Sequence, residues 1–149
     1  MPNYDLVDPG TEQYGGTRAA LANFLLGPDA PGTPRVLVLE MEPGFVIQRH
    51  SHGCERFEII VGGSLYVGDD VLRAGDVMTA RAGEFYGPKV AGPDGCVTAE
   101  VFAHQHASEP LYECADGTTS TSRPPDETAA QREWIEARRA EALALAAGS

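Results

Sequence analysis

The stretch that decides the fold runs from Phe57 to Asp76 and reads FEIIVGGSLYVGDDVLRAGD. It contains three short apolar runs, which end in the glycine- and aspartate-rich segments 62–63, 68–70 and 74–76. Short apolar segments bounded by turn residues predict β-strands joined by tight connections.

The same pattern extends from Arg35 to Ala103. An apolar run over 36–39 ends before Pro43-Gly44, and further strands are expected over 85–90 and 97–103, on either side of a turn at 92–95. Many short strands at a spacing of roughly 8–12 residues are typical of a sandwich or barrel. We therefore predict an all-β fold.

The remaining segments of the 149-residue chain are expected to flank one domain. Residues 1–34 form an N-terminal extension, in which the stretch from Ala19 to Leu26 fits a helix and a strand equally well. The Ser/Thr/Pro-rich residues 116–125 are a linker between the barrel at 35–115 and a helix over 126–147. Asp126 is the expected cap of that helix, whose alanine-rich stripe would pack on the barrel or on a second subunit.

Charge and composition exclude several classes of partner. The chain has 11 Lys and Arg against 22 Asp and Glu, a net charge of -11, which argues against binding to nucleic acid or an anionic membrane. No apolar run has the length of a membrane span, no secretory signal is visible, and the cysteine count of three is odd. These features predict a cytoplasmic protein with reduced thiols. Exposed barrel edges favour a homodimer.

The four histidines of the chain form two pairs, His50 with His52 and His104 with His106. Residues two apart on a strand share one face, so each pair can present two imidazoles to one point. Imidazole is the commonest ligand of transition metals near neutral pH. The pairs are therefore candidate metal ligands, with a purely structural role as the alternative.

Residues 44–52, GFVIQRHSH, consist of a glycine, five residues and then His-x-His, and a strand and the glycine pair at 62–63 follow. This resembles the first motif of the cupin superfamily, G-x5-H-x-H-x3–4-E-x6-G, and residues 75–86 resemble its second motif, G-x5-P-x-G-x2-H-x3-N. The chain is similar to small single-domain bacterial cupins of the RmlC-like type. The resemblance covers about residues 35–103 and implies a jelly-roll β-barrel with a metal or substrate site inside.

The sequence departs from both motifs at ligand positions. The family's glutamate ligand falls on Arg56 when counted from Gly63 and on Glu55 when counted from Gly62, and the strand pattern favours Arg56. Tyr86 stands where the family has a histidine ligand. A divalent metal, zinc first and iron second, would then be held by His50 and His52 with a third ligand. The candidates for that ligand are Glu55, Glu58, Tyr86, His104 and His106.

Three residues are candidates for catalysis. Arg56 and Glu58 share strand parity, so both face the interior if one does. A buried guanidinium needs a partner, which would be an adjacent glutamate or an anionic ligand, and Tyr86 or Glu58 would handle a proton.

The resemblance implies a metal-dependent enzyme acting on a small organic substrate, and we expect this substrate to be a carboxylate or an enolisable compound. The expected reaction is a non-redox isomerisation, cyclisation or rearrangement in bacterial secondary metabolism. The alternatives are an iron-dependent dioxygenase and a non-catalytic cupin that binds a small ligand.

Overall fold

The computed structural model describes residues 5–148, with side chains from Glu12 onward. Over this range the chain forms antiparallel strands and a C-terminal helix, which confirms the predicted all-β jelly roll with a terminal helix. The strands are β1 Asp5–Tyr14, β2 Thr17–Leu25, β3 Arg35–Met41, β4 Val46–Ile47, β5 His50–His52, β6 Arg56–Val67, β7 Asp70–Arg73, β8 Val77–Ala80, β9 Lys89–Phe102, β10 Pro110–Glu113 and β11 Thr119–Ser120.

Two sheets are formed by these strands. The larger has the order β1-β2-β3-β9-β6-β7, with β4 also paired to β9 and β8 to β6, and the smaller has the order β11-β10-β5. Strand β9 is central because it pairs with β3, β4 and β6. Along β6 the inward residues change from charged at Arg56 and Glu58 to apolar at Ile60 and Leu65. One part of the interior is therefore polar and the other is an ordinary hydrophobic core.

The N-terminal segment belongs to the sheet. Strand β2 pairs with β3 from Ala19 opposite Met41 to Leu25 opposite Arg35, so the ambiguous stretch is a strand. Its alternating burial at Thr17 and Ala19 has the period of a strand, and pairing outweighs the helix propensity of alanine. The sheet thus begins well before the expected boundary at residue 35, and residues 1–4 of the expected extension lie outside the described range.

The turns expected at 62–63 and 92–95 are not chain reversals between separate strands, because the two segments lie within β6 and β9. The register between β6 and β9 shifts on both sides of Gly63, and residues 92–95 of β9 lie opposite Ser64 alone. Gly63 has a positive φ of 70°, and a side chain there would collide with the carbonyl oxygen of Gly95. Glycine therefore marks a close approach of two strands here rather than a chain reversal.

Helix α1, Ala129–Ala147, packs on the barrel of its own chain. Thr128, not Asp126, is the cap: its hydroxyl accepts from the Gln131 backbone amide, and the Thr128 backbone amide donates to Gln131 Oε1. Ile135 and Ala142 are buried against barrel residues. Within residues 5–148, no helix has the length and apolar character needed to cross a membrane.

The homodimer expected from the sequence stays a prediction, and one face of the barrel suits it. Phe57, Val61 and Val77 are 40%, 57% and 55% exposed on the outer side of β6 and β8. Solvated sheet faces are normally polar, and uncharged patches of this kind mark interfaces. Glu55 and Arg81 are exposed beside Phe57, so the border of this face carries charges of both signs.

We predict that Val61→Asp converts a dimer into a monomer in sedimentation equilibrium, because the new carboxylate would be buried between two chains that each carry a charge of -11. Leu145→Asp is the matched control, since Leu145 is 54% exposed on α1. A wild-type mass that stays monomeric at every concentration would contradict the dimer, and dissociation only in the control would assign the interface to the helix.

Candidate active site

Strand β5 carries the first histidine pair into the interior. Its three residues are buried between β10 and the segment at Tyr86, where the His50 amide donates to the Tyr86 carbonyl at 3.0 Å and the Tyr86 amide returns a bond of 2.9 Å. The His50 and His52 ring centroids lie 5.0 Å apart. The structure thus brings the two imidazoles together, as their spacing predicts.

Both imidazoles are neutral and have a fixed tautomer. Nδ1 of His50 donates to the Gln48 carbonyl, and Nδ1 of His52 donates to the Ser108 carbonyl, each at 2.7 Å. Burial lowers the pKa of His50 to about 3 and that of His52 to about 4. Each ring therefore keeps a lone pair on Nε2, and Nε2 of His52 is a buried atom without a hydrogen-bond partner in the described protein.

Next to the histidines lies a cluster of four buried ionisable side chains. Lys89 Nζ donates to Glu58 Oε1 at 2.9 Å, and both side chains are almost fully enclosed. Arg56 Nη1 lies 3.9 Å from Glu58 Oε2 and 3.6 Å from Glu100 Oε2. The interior therefore holds two cations and two carboxyl groups in mutual contact.

Tyr86 lies between this charged cluster and the histidines. Its ring centroid is 3.8 Å from Arg56 Cζ, 4.7 Å from Lys89 Nζ and 4.7 Å from the His50 ring centroid. Burial and the nearby Glu100 carboxyl raise the pKa of Tyr86, so its hydroxyl stays protonated. The ring acts as a packing surface for both cations.

The pKa values of the two carboxyl groups are shifted in opposite directions. Glu58 and Glu100 face each other across β6 and β9. The Lys89 ammonium, with Arg56, holds the pKa of Glu58 below its usual range despite burial. Burial and the Glu58 carboxylate raise the pKa of Glu100, so Glu100 keeps its proton near neutral pH.

A cavity of about 240 Å³ opens beside these groups. His50, His52 and Glu100 form its polar part, and Leu37, Leu39 and Ile47 contribute to an apolar wall. Its remaining lining residues include Glu12, Arg35, Phe102, Glu109, Tyr112 and Arg123.

Other predicted site residues lie elsewhere. Glu55 is exposed because it precedes the inward Arg56 on the chain and so takes the opposite face. Arg56 is inside but enclosed by Glu58, Glu100 and Tyr86, and it does not line the cavity. His104 and His106 stack on each other at 4.2 Å and also lie outside the cavity lining.

The expected metal set of His50, His52 and Glu55 is not assembled. In the part of the chain with described side chains, no three His, Cys, Asp or Glu side chains could together hold a metal ion. Protein metal sites normally use three or more ligands, Glu58 is committed to Lys89, and the positive charges of Lys89 and Arg56 act on both histidines. These residues by themselves do not fit a resident divalent metal.

Sequence reasoning missed Glu100 and Arg35. Glu100 shares one face of β9 with Thr98 and Phe102, whereas Val97, Ala99 and Val101 make the opposite face apolar. Alternation alone would therefore place Glu100 on the outer face, and the structure has the polar face inside. The interior position of Lys89 was also not predicted from the sequence. Lys89 is the only lysine of the chain, and this was a usable signal that it occupies an unusual position.

Comparisons with known proteins identify the fold. No protein-family model matches the sequence, and no curated protein matches it. An RmlC-like cupin protein from Ralstonia eutropha JMP134 superposes with a TM-score of 0.52 at 20% identity, covering 76% of this chain and 72% of that one. A mutant of Bacillus subtilis oxalate decarboxylase gives a TM-score of 0.53 at 18% identity over 68% of this chain, which corresponds to 29% of the decarboxylase chain. This chain therefore has the cupin fold.

We predict that Lys89→Met lowers the free energy of unfolding by about 3–5 kcal/mol in urea denaturation, because it leaves the Glu58 carboxylate buried without its ammonium. The control is Arg18→Met, which breaks the exposed Arg18–Glu42 pair and should cost at most about 1 kcal/mol. An equal decrease in the free energy of unfolding in the two variants would show that the buried Lys89–Glu58 pair matters no more for stability than the exposed Arg18–Glu42 pair.

A second prediction concerns stability between pH 6.5 and 4.5. Unfolded histidines bind protons in this range whereas buried His50 and His52 do not, so stability falls as the pH falls. The contribution of Glu100 to this pH dependence has the opposite sign, because Glu100 keeps a proton in the folded chain and loses it in the unfolded chain. The unfolded chain therefore binds about one proton more than the folded chain. This predicts that the free energy of unfolding falls by about 1.4 kcal/mol for each pH unit of acidification.

Glu100→Gln removes the opposing contribution, so its loss on acidification should be about twice as steep as in the wild type. Glu55→Gln is the control because Glu55 is exposed on the other face. The same slope in all three proteins, measured by urea denaturation at each pH, would contradict the assignment of a protonated Glu100.

Proposed function

We propose that this chain, which has the cupin fold, catalyses proton transfer on a small enolisable compound bound in the interior cavity. The observation that carries the proposal is the pairing of a neutral imidazole and a protonated carboxyl group on the wall of one cavity. Titratable groups whose pKa values are pushed apart by their surroundings are the usual mark of acid–base chemistry.

His52 is the proposed base. Its Nδ1–H bond to the Ser108 carbonyl leaves the Nε2 lone pair as the acceptor for a proton from carbon next to a carbonyl group. Nε2 is buried and lacks a hydrogen-bond partner in the described protein. A ligand that donates a hydrogen bond to Nε2 therefore removes the free-energy penalty of a buried acceptor without a partner.

Glu100 is the proposed acid, which gives its proton to the carbonyl oxygen as the carbon–hydrogen bond breaks. The product of this step is an enol. Return of a proton from the imidazolium to carbon, with return of the enol O–H proton to the Glu100 carboxylate, restores both residues. Where a second carbon is conjugated with the enol, protonation of that carbon completes an isomerisation. Once Glu100 is ionised, its carboxylate favours the imidazolium, and Arg56 at 3.6 Å stabilises the carboxylate. Proton donation by Glu100 therefore favours proton uptake by His52, and proton uptake by His52 favours donation by Glu100.

Arg56 and Glu58 have supporting roles in this proposal. Glu58 raises the pKa of Glu100, and Arg56 contacts both carboxyl groups without lining the cavity. The cavity volume of about 240 Å³ is below the roughly 300–1,000 Å³ typical of larger ligands, which favours a small metabolite. Three free cysteines support the expected cytoplasmic setting.

The second candidate is the same chemistry with a divalent metal recruited by His50 and His52. The observation that favours it is the pair of Nδ1–H bonds to backbone carbonyls, an arrangement common among metal-binding histidines. Bacillus subtilis oxalate decarboxylase, which shares the fold, has Mn(II) centres. The missing third protein donor makes this the weaker candidate.

The test follows exchange of carbon-bound hydrogen for deuterium by proton NMR in D2O, with 2-oxobutanoate and pentane-2,4-dione as probes. We predict that the wild type accelerates exchange of at least one probe and that Glu100→Gln and His52→Gln each reduce this rate about 100-fold or more. Glu55→Gln should leave it unchanged.

Measuring the metal content of the untagged protein, and repeating the exchange experiment after chelation, separates the two candidate functions. Exchange that persists after chelation supports His52 and Glu100 as the catalytic pair. Exchange that requires zinc, iron or manganese supports the metal-dependent candidate, and a wild type that accelerates no exchange would overturn both in favour of simple ligand binding.

A further inference from the structure

Arg35 is a guanidinium built into the cavity wall. Its Nε donates to Asn23 Oδ1 at 2.8 Å, Nη2 donates to the same oxygen, and Nη1 donates to Ser108 Oγ at 2.8 Å. Its side chain is 20% exposed, and Asn23 and Ser108 are both buried. The guanidinium is thus held in one orientation before any ligand arrives.

The guanidinium of Arg35 keeps N–H donors for a carboxylate on Nη1 and Nη2. A guanidinium has five N–H groups, and the bonds to Asn23 and Ser108 use three of them. The acidic partner of Nη1 is Glu109, whose Oε1 lies 3.4 Å away on a side chain that is 80% exposed. Such an exposed pair contributes little stability, so another carboxylate can replace it at low cost.

Neither of two other arginines is as well placed. Arg123, which also lines the cavity, makes a 2.6 Å ion pair with Glu12 and donates to the Gln13 carbonyl. Arg56, the residue that the sequence favoured for this role, is enclosed by Glu58, Glu100 and Tyr86. Arg35 combines access to the cavity with a weakly bound acidic partner.

Ser108 links Arg35 to the proposed base. Its hydroxyl accepts from Arg35, and its carbonyl accepts from Nδ1 of His52. The same residue therefore fixes the guanidinium and the imidazole on one wall of the cavity. A carboxylate bound at Arg35 would hold the rest of a small molecule beside Nε2 of His52 and the apolar wall at Leu37 and Leu39.

We propose that Arg35 binds the carboxylate of the substrate and that the substrate is a small monocarboxylate, with its enolisable part at His52 and Glu100. This inference rests on the proposed function for the site but is tested by binding alone. The planar fork of arginine suits a carboxylate and gives no comparable bond to a neutral amide. With one loosely paired arginine on the cavity, a second carboxylate on the ligand would meet Glu12 or Glu109 instead of a cation.

The experiment compares calorimetric binding of 2-oxobutanoate with that of 2-oxobutanamide, which has the same carbon skeleton without the charge. We expect the wild type to bind the acid at least tenfold more tightly than the amide. Arg35→Gln should weaken acid binding at least tenfold and leave amide binding within about twofold. Arg18→Gln, on the exposed Arg18–Glu42 pair, is the control and should change neither.

Glu109→Gln is the variant that separates a ligand-binding role from a structural one. Removing the competing carboxylate should tighten binding of 2-oxobutanoate about two- to fivefold without tightening binding of the amide. The exposed position of Glu109 also keeps this test valid if Arg35→Gln does not fold.

Equal binding of acid and amide by the wild type, or no binding of the acid at millimolar concentration, would overturn the role of Arg35. Loss of both ligands to the same degree in an Arg35→Gln variant that keeps the wild-type circular dichroism spectrum would also overturn it. Acid-selective binding without deuterium exchange would support Arg35 and reject the proton-transfer function. If the amide binds as tightly as the acid and exchanges its hydrogen at the same rate, the result would support the proton-transfer function and reject the role of Arg35.

Discussion

The pairing of Glu58 with Glu100 across two central strands is the constraint on which the polar interior depends. Two carboxyl groups held opposite each other in a closed barrel do not both ionise readily, because each charge is desolvated and repels the other. Lys89 decides which one carries the charge, since its ammonium lies 2.9 Å from Glu58. Glu100 is left as a carboxylic acid, and it is the member of the pair that lines the cavity.

The state of the histidines follows from the same arrangement. Burial and the charges of Lys89 and Arg56 keep His50 and His52 neutral, and backbone carbonyls at Gln48 and Ser108 fix their tautomer. A protonated acid and an unprotonated base thus coexist on one cavity wall at neutral pH. In water at neutral pH a glutamate is ionised, and a histidine, whose ordinary pKa is near 6.5, is partly protonated.

Strand periodicity accounts for what could be predicted from the sequence. It placed His50 with His52, and Arg56 with Glu58, on common faces, and turn residues marked most of the strands. The same turn chemistry misled at 62–63 and 92–95, because glycine also permits two bent strands to approach closely. Glu100, Lys89 and Arg35 depend on contacts between residues distant in sequence, such as Lys89 with Glu58 and Arg35 with Ser108, and no local pattern encodes those contacts.

The two departures from the cupin motifs are physically coupled. Resemblance to the family implied a glutamate ligand at the position of Arg56 and a histidine ligand at the position of Tyr86. In the folded chain these two replacements contact each other, with the guanidinium carbon 3.8 Å from the centre of the phenol ring. Arg56 brings positive charge to the interior, and Tyr86 gives that charge an aromatic face to pack on. Replacing only one of the two ligands would leave either an unstacked guanidinium or an unpaired carboxylate beside Glu58 and Glu100. The altered motif is therefore best understood as one coordinated change, in which a fixed guanidinium and ammonium supply the positive charge of the site.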